Sequence, residues 1–162
     1  MTKPTLFFKW LALAMLLLSP FSQAETALQL ADRYMKAYTA MNYGELEQLY
    51  HYDAVFEDPT AGVQGNGQHL NGRKAIIDFL RQSQQGVAQI RFVESSHMVV
   101  GNWVVLTGDY HYLVSGPQFG LGPQPVWIVI HGITELKVST GSGLILKHRD
   151  MLDYSSLPAQ LQ

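Results

Sequence analysis

The amino-acid sequence predicts an α+β fold in which three N-terminal helices pack on a curved antiparallel four-strand meander that leaves room for a pocket. Two observations support this fold class. Apolar residues recur every three or four positions in the first half of the chain, and every second position from residue 90 onward. Short turns containing glycine separate the later segments, as is typical of consecutive antiparallel strands.

The predicted helices come first along the chain. Their apolar spacing places them at residues 26–41, 45–50 and 73–85. Residues 53–58 are predicted to form a short extended segment, because a proline follows directly. Residues 60–72 contain four glycines and two asparagines, which predicts a loop.

The four strands of the meander follow. They are predicted at residues 90–100, 103–114, 126–139 and 144–154. Residues 115–125 contain three glycines and three prolines, so they are predicted to form a loop that could act as a flap over a pocket mouth.

Alternation along each strand predicts which side chains face inward. On the last strand, the predicted inward side chains are Leu144, Leu146, His148, Asp150 and Leu152. This face is apolar at one end and polar at the other, which suits a half-open pocket. On the third strand, the predicted inward residues are Ile130, Gly132, Thr134, Leu136 and Val138. A single bulge would invert either assignment.

The second strand is predicted to turn Trp103, Asp109 and His111 inward. Its other face would then be the outer face of the sheet. Aromatic residues on an otherwise exposed face indicate a dimer interface. The residues assigned to that interface are Tyr110, Tyr112, Trp127 and His131.

The composition indicates a single exported domain. The chain has 162 residues, a formal net charge of −2 and no cysteine. It therefore has no disulfides and no thiolate sites, and no basic stripe favours binding to nucleic acid. Residues 1–24 have the layout of a secretory signal peptide, with Lys3 and Lys9, a short apolar run, and small residues before the expected cleavage after Ala24. We therefore expect a periplasmic or secreted domain at residues 25–162 without a stable membrane anchor; an uncleaved N-terminal anchor is the alternative.

The order of elements and four short motifs resemble the nuclear transport factor 2-like superfamily, and within it the SnoaL-like and ketosteroid-isomerase-like branch. The motifs are Asp32-Arg33-Tyr34-Met35-Lys36-Ala37, Glu45-Leu46-Glu47-Gln48-Leu49-Tyr50, Asp53-Ala54-Val55-Phe56-Glu57-Asp58-Pro59 and Gly72-Arg73-Lys74-Ala75-Ile76. The resemblance covers essentially all of residues 25–162. It implies a cone-shaped fold with a pocket and no organic cofactor.

The resemblance also implies roles for particular residues. Ketosteroid isomerases use a tyrosine of the first helix as an oxyanion donor and an aspartate before a proline as a base, and Tyr34 and Asp58 occupy these places. Their second oxyanion donor is a carboxylic acid on the third meander strand, where Thr134 faces the pocket here. Two alternatives remain: Tyr34 is a core residue, and Asp58 caps backbone amides of its turn.

A second resemblance concerns the last strand. Arg149-Asp150-Met151-Leu152-Asp153 is similar to a pattern of the limonene-epoxide-hydrolase branch. That similarity implies that Asp150 helps to activate a water molecule, which His111 could help to hold.

Four ionisable residues predicted to face inward are the most unusual feature of the sequence. They are Asp109, His111, His148 and Asp150. Each aspartate could orient a histidine in an acid–base pair. The alternatives are a self-satisfied polar network and, with no support from spacing, a metal site.

We therefore predict catalytic roles for Asp58, Tyr34, Asp150 and His111. Substrate contacts are predicted for Tyr50, Asp109, His148, Trp103 and Thr134. The predicted ligand is a small hydrophobic molecule that carries a carbonyl group, converted by proton transfer. Two other functions are a non-catalytic module that binds a hydrophobic ligand, and an accessory domain that forms a homodimer through the outer sheet face.

Overall fold

The computed structural model describes residues 25–61 and 66–160. The predicted signal peptide at residues 1–24 lies outside these ranges, so its cleavage and the export of the domain stay predictions. Across the described ranges, none of the helices has both the length and the apolar character needed to span a bilayer.

The three predicted helices are present, with small shifts at their ends. They are α1 (Ala27–Thr39), α2 (Tyr43–Leu49) and α3 (Arg73–Ser83). Thr26 and Gln29 begin α1 with a capping box, in which each side chain accepts a hydrogen bond from the other residue's backbone N–H. Asn42 caps α2 by accepting a hydrogen bond from the backbone N–H of Glu45.

The sheet is curved and has six strands rather than the predicted four. The strands are β1 (Tyr50–Asp58), β2 (Gln68–Asn71), β3 (Val87–Val100), β4 (Trp103–Val114), β5 (Val126–Val138) and β6 (Ile145–Leu152). Their order is β2-β1-β6-β5-β4-β3. The meander is therefore confirmed as β3 to β6, and two further strands extend it on the side of β6.

The two additional strands correct the prediction for residues 53–72. β1 is longer than the predicted extended segment, because it pairs in parallel with β6. β2 lies within the predicted loop and pairs antiparallel with β1. Pairing with a partner strand places both of them: the partner of β1 is β6, which is distant in sequence, and the partner of β2 is β1, across a loop. The extended segment predicted at residues 53–58 lies within β1, whereas local alternation did not reveal β2, which has only four residues.

Three short elements complete the description. α4 (Gly116–Phe119) lies within the predicted flap, a 3-10 turn covers Tyr154–Ser156, and α5 (Leu157–Gln160) follows it. The 3-10 turn brings Tyr154 toward the sheet, where its hydroxyl reaches Asp58.

The inward face of β4 is the reverse of the prediction. Leu106 and Tyr110 are buried, whereas Asp109 has a side chain that is 47% exposed. The reason is the pairing with β5, where Leu106 lies opposite Thr134. Cross-strand neighbours share a face, so the confirmed inward face of β5 fixes that of β4.

The inward face of β6 is confirmed from His148 onward and wrong before it. His148 is fully buried, as predicted, but Ile145 is also fully buried although it was expected to face out. The pairing with β5 shifts register between Lys137 and Val138, which leaves Leu146 as an extra residue in β6. A bulge of this kind turns the following side chains to the other face.

Candidate active site

A cavity of about 230 Å³ opens between α3, the C-terminal 3-10 turn and the inner face of the sheet. Most of its wall is aromatic or aliphatic, which favours an apolar ligand. The apolar side chains are Phe56, Phe79, Leu80, Val87, Val114, Phe119, Ile128, Ile130 and Leu152. The polar and phenolic ones are Asp58, Asp150, Ser83, Gln84, Tyr38, Tyr112 and Tyr154.

Asp150 of β6 lies in the cavity wall with its side chain 14% exposed. Its Oδ1 is 2.9 Å from Nε2 of His148 and accepts a hydrogen bond of 2.5 Å from the hydroxyl of Thr134. Among the described residues, no hydrogen bond involves Oδ2. One oxygen of this carboxylate is thus held by the protein, and the other is available to a ligand.

His148 connects Asp150 to the core. Its Nδ1 is 2.6 Å from the hydroxyl of Tyr50. A carboxylate only accepts hydrogen bonds, so we assign the ring proton to Nε2, which donates to Asp150. Nδ1 then accepts from Tyr50. The buried imidazole is therefore aligned by partners on both sides.

A second chain of hydroxyl groups reaches the same carboxylate oxygen. The hydroxyl of Tyr110 lies 2.5 Å from that of Thr134. Since Thr134 donates to Asp150, Tyr110 must donate to Thr134. Thr134 therefore does not face a ligand as an oxyanion donor. It helps to position Asp150.

Asp58 is 3% exposed, and both of its oxygens are already engaged. Oδ1 accepts from the backbone N–H groups of Thr60 and Ala61, at 2.9 and 3.0 Å, and from the Thr60 hydroxyl at 2.5 Å. Oδ2 accepts from Tyr154 at 2.8 Å. This arrangement matches the turn-capping alternative. To act as a base, Asp58 would first have to give up the hydrogen bond from Tyr154.

The expected convergence of Tyr34 and Asp58 is not observed. Tyr34 is 2% exposed, and its hydroxyl lies 3.4 Å from Nε2 of His148, within the core. Tyr38, one helical turn later on the same face of α1, lines the cavity instead. Its hydroxyl lies 2.9 Å from that of Tyr112, which also lines the cavity.

Asp109, His111 and Trp103 lie on the outer face of the sheet, because the face of β4 is reversed. Asp109 is 2.8 Å from Nδ1 of His131 there, and the ammonium group of Lys137 lies 5.3 Å from the ring centre of Trp103. The structure therefore places these three predicted ligand contacts outside the cavity that Asp150 lines. Among the described residues, no group of three or more His, Asp or Glu side chains is placed to hold a metal ion.

Sequence reasoning missed several residues of the cavity. The signal for Tyr38 was present, since it follows Tyr34 by one helical turn. Tyr154 lies at the end of the chain, where no motif marked it. Gln84 ends α3 and nothing in the pattern distinguishes it from neighbouring glutamines.

A larger groove of about 540 Å³ lies elsewhere, between the start of α1 and the turn that joins β5 to β6. Arg33 in this groove pairs with Glu25 at 2.8 Å and with Glu45 at 2.7 Å. None of the sequence-predicted site residues lines it. Size alone therefore does not identify the site, and the smaller cavity contains the candidate chemistry.

Burial keeps the tyrosines of the site protonated. It raises the pKa of Tyr34, Tyr50, Tyr110 and Tyr112 well above the usual range. Burial also raises the pKa of Tyr38 to about 12, although the side chains of Tyr112 and Gln84 oppose that rise. These hydroxyls can therefore donate hydrogen bonds at neutral pH.

The raised pKa values predict alkaline unfolding coupled to tyrosine ionisation. The unfolded chain ionises its tyrosines near pH 10, so stability is retained below that pH and lost above it. In a titration monitored by phenolate absorbance, Tyr43 and Tyr52 should ionise first. The buried tyrosines should ionise only as circular dichroism reports unfolding. Ionisation of all eight tyrosines near pH 10 in the folded protein would contradict this.

Comparisons with known proteins identify relatives of the whole domain. The family described as the SnoaL-like domain matches residues 31–148. The structure of a candidate SnoaL-like polyketide cyclase from Shewanella denitrificans OS-217 is 34% identical, with a TM-score of 0.74, and the alignment covers 84% of this chain and 96% of that one. One from Shewanella putrefaciens CN-32 is 33% identical, with a TM-score of 0.73, covering 83% and 95%.

A more distant structure shows the same fold. It is a protein with a ketosteroid isomerase-like fold from Catenulispora acidiphila DSM 44928, solved in complex with trimethylamine. It is 19% identical, with a TM-score of 0.63, over 82% of this chain and 91% of that one. No curated protein sequence matches the chain.

Proposed function

Because the chain belongs to the SnoaL-like domain family of the nuclear transport factor 2-like superfamily, we propose that its cavity binds a small, largely apolar carbonyl compound. Asp150 then moves a proton at the carbon beside the carbonyl group. The observation that carries this proposal is that the two oxygens of the Asp150 carboxylate have different surroundings. His148 and Thr134 hold Oδ1, whereas Oδ2 has no partner among the described residues and lies in an apolar cavity.

This geometry suits general base catalysis. A base must be positioned, must be within reach of the proton, and must be shielded from water by its surroundings. Two hydrogen bonds fix the carboxylate of Asp150, and the wall around it leaves the side chain only 14% exposed. The two Shewanella relatives are named as candidate polyketide cyclases. Cyclisation of a polyketide by an aldol reaction also begins with removal of a proton beside a carbonyl group.

The test is solvent-deuterium exchange into 2-tetralone, a compact apolar ketone with acidic protons beside its carbonyl, followed by NMR. We expect exchange above the buffer rate in the wild type. Asp150→Asn should lower it at least about 100-fold, because the variant has no carboxylate to accept the proton. Asp109→Asn, on the outer face, is the matched control and should retain the wild-type rate.

Three outcomes separate the candidate functions. Exchange that survives in Asp150→Asn but is lost in Asp58→Asn would contradict the role of Asp150. It would show that Asp58 is the base, as the resemblance to ketosteroid isomerases implied. Binding of 2-tetralone without exchange would support the non-catalytic binding module. Neither exchange nor binding in the folded wild type would contradict both.

Tyr110 and Tyr112, which the sequence assigned to the dimer interface, are buried on the inner face instead. Other apolar residues on the outer face of the sheet support the proposed homodimer. Trp127, Val93 and Met98 are on this face and are 39%, 55% and 56% exposed. We expect light scattering to report twice the monomer mass for the wild type. Trp127→Glu should shift the mass toward the monomer, because a buried charge opposes association. Tyr52→Glu, at another exposed aromatic position, is the control. A monomeric wild type at tens of micromolar would contradict the proposal.

A further inference from the structure

Gln84 is a buried amide at the end of α3. Its side chain is held in one orientation by Tyr43, whose hydroxyl donates a hydrogen bond of 2.8 Å to Oε1. Tyr43 itself is held under the guanidinium group of Arg81, which lies 5.2 Å from the ring centre. Gln84 is 5% exposed and lines the same cavity as Asp150. The acceptor end of the amide is therefore satisfied, and the residue forms part of the cavity wall.

That donor end has no partner. Among the described residues, Nε2 of Gln84 is the one buried side-chain nitrogen or oxygen without a hydrogen bond. A buried donor without an acceptor weakens a fold, so such groups are rare and their occurrence calls for an explanation. A ligand oxygen in the cavity supplies one.

A second donor lies in the same wall. The hydroxyls of Tyr38 and Tyr112 lie 2.9 Å apart, and the hydrogen bond between them uses the proton of only one of the two hydroxyls. The other hydroxyl proton is then left over. The side chain of Gln84 also interacts with the Tyr38 hydroxyl and lowers the pKa of that phenol, although no acceptor lies within hydrogen-bond geometry of Nε2 among the described residues. Amide and phenol are thus neighbours with spare donors.

We propose that Nε2 of Gln84 and the spare hydroxyl proton of the Tyr38–Tyr112 pair together hold the carbonyl oxygen of the ligand. This inference rests on the proposed function and adds an oxyanion site to it. When Asp150 takes the proton, the electron pair of the C–H bond forms the enolate double bond, and the carbonyl π pair moves onto oxygen. Both donors then stabilise that negative charge, and return of the proton from Asp150 reverses the step.

The proposal explains two features of the site. Thr134 occupies the position where the resemblance implied an acidic oxyanion donor, yet its hydroxyl is used by Asp150. An amide from α3 supplies the second donor instead. The ligand class also becomes narrower: the molecule must carry an acceptor oxygen, and a hydrocarbon of the same shape should bind less well.

The experiment compares 2-tetralone with tetralin, which has the same rings and no oxygen. In Gln84→Met, a variant of similar volume without the amide, we expect deuterium exchange into 2-tetralone to fall about 10- to 100-fold. The preference of the protein for 2-tetralone over tetralin should fall about fivefold, the effect of one hydrogen bond. Gln82→Met is the matched control, because it makes the same change at an exposed glutamine of α3 that does not line the cavity.

A second measurement needs no ligand. Gln84→Met and Tyr43→Phe each remove the hydrogen bond between these two residues. If Nε2 serves the ligand and not the fold, Gln84→Met should melt at or above the temperature of Tyr43→Phe. A clearly lower melting temperature would show that the amide is bonded within the protein, and would overturn the inference.

The outcomes distinguish this inference from the proposed function. Exchange that depends on Asp150 but is unchanged in Gln84→Met overturns the oxyanion site alone. Binding that prefers the ketone through Gln84 without any exchange overturns the proton transfer alone. A wild type that is folded and binds neither probe contradicts both.

Discussion

His148→Leu is expected to lower the free energy of unfolding by about 3 kcal/mol, among the largest effects of any single substitution in this domain. The leucine leaves the hydroxyl of Tyr50, a fully buried residue, without its acceptor. It also removes one of the two donors to Oδ1 of Asp150. A buried polar group that loses its partner costs about 1–3 kcal/mol, and here two groups are affected. Urea denaturation measures the loss.

His111→Leu is the matched control for this substitution. His111 lies on the outer face of β4, opposite Arg91 and Val129, and takes part in no hydrogen bond among the described residues. A surface change of this kind should alter stability by less than about 0.5 kcal/mol. Equal losses for both variants, or a loss below about 1 kcal/mol for His148→Leu, would contradict the assignment of a buried network.

Phe56→Ala is expected to destabilise the domain by about 3–5 kcal/mol, the usual cost of truncating a buried phenylalanine. Phe56 is 1% exposed, and the centre of its ring lies 5.3 Å from that of Phe79 and 4.8 Å from that of His148. Because Phe56 also lines the cavity, its removal should enlarge the binding space and loosen His148. The measurement is denaturant unfolding, together with binding of 2-tetralone.

Two further variants make the result at Phe56 interpretable. Phe56→Leu keeps most of the apolar volume and should cost less than half as much as Phe56→Ala. Tyr52→Ala, on the same strand at a position 66% exposed, should be close to neutral. A loss at Phe56 no greater than that at Tyr52 would show that the cavity wall contributes little to the core.

The parts of the fold that could be predicted are those encoded by local pattern. Apolar spacing located α1, α2 and α3 to within a few residues, and alternation identified β3 to β6. The pattern also predicted that His148 and Asp150 share the inner face of β6, because residues two positions apart in a strand point to the same side. Thr134 was placed inward correctly for the same reason.

The rest depends on contacts that a single strand or helix does not encode. The inner face of β4 follows from its register with β5, because Leu106 must face the same way as Thr134. Charged residues at Asp109 and His111 suggested a site, but they lie on the outer face. Likewise, Tyr34 and Tyr38 lie on the same face of α1, and the position of the helix along its own axis decides which of them meets the cavity.

The strand that carries His148 and Asp150 is the last of the chain but lies in the middle of the sheet, between β1 and β5. Phe56 pairs in register with His148, far away in sequence. During synthesis on the ribosome, the earlier strands and helices emerge with a gap where this strand belongs. His148 and Asp150 therefore reach their positions only when β6 pairs with both β1 and β5, and such long-range pairing is slow. Assembly of the candidate site thus depends on the pairing that completes the sheet.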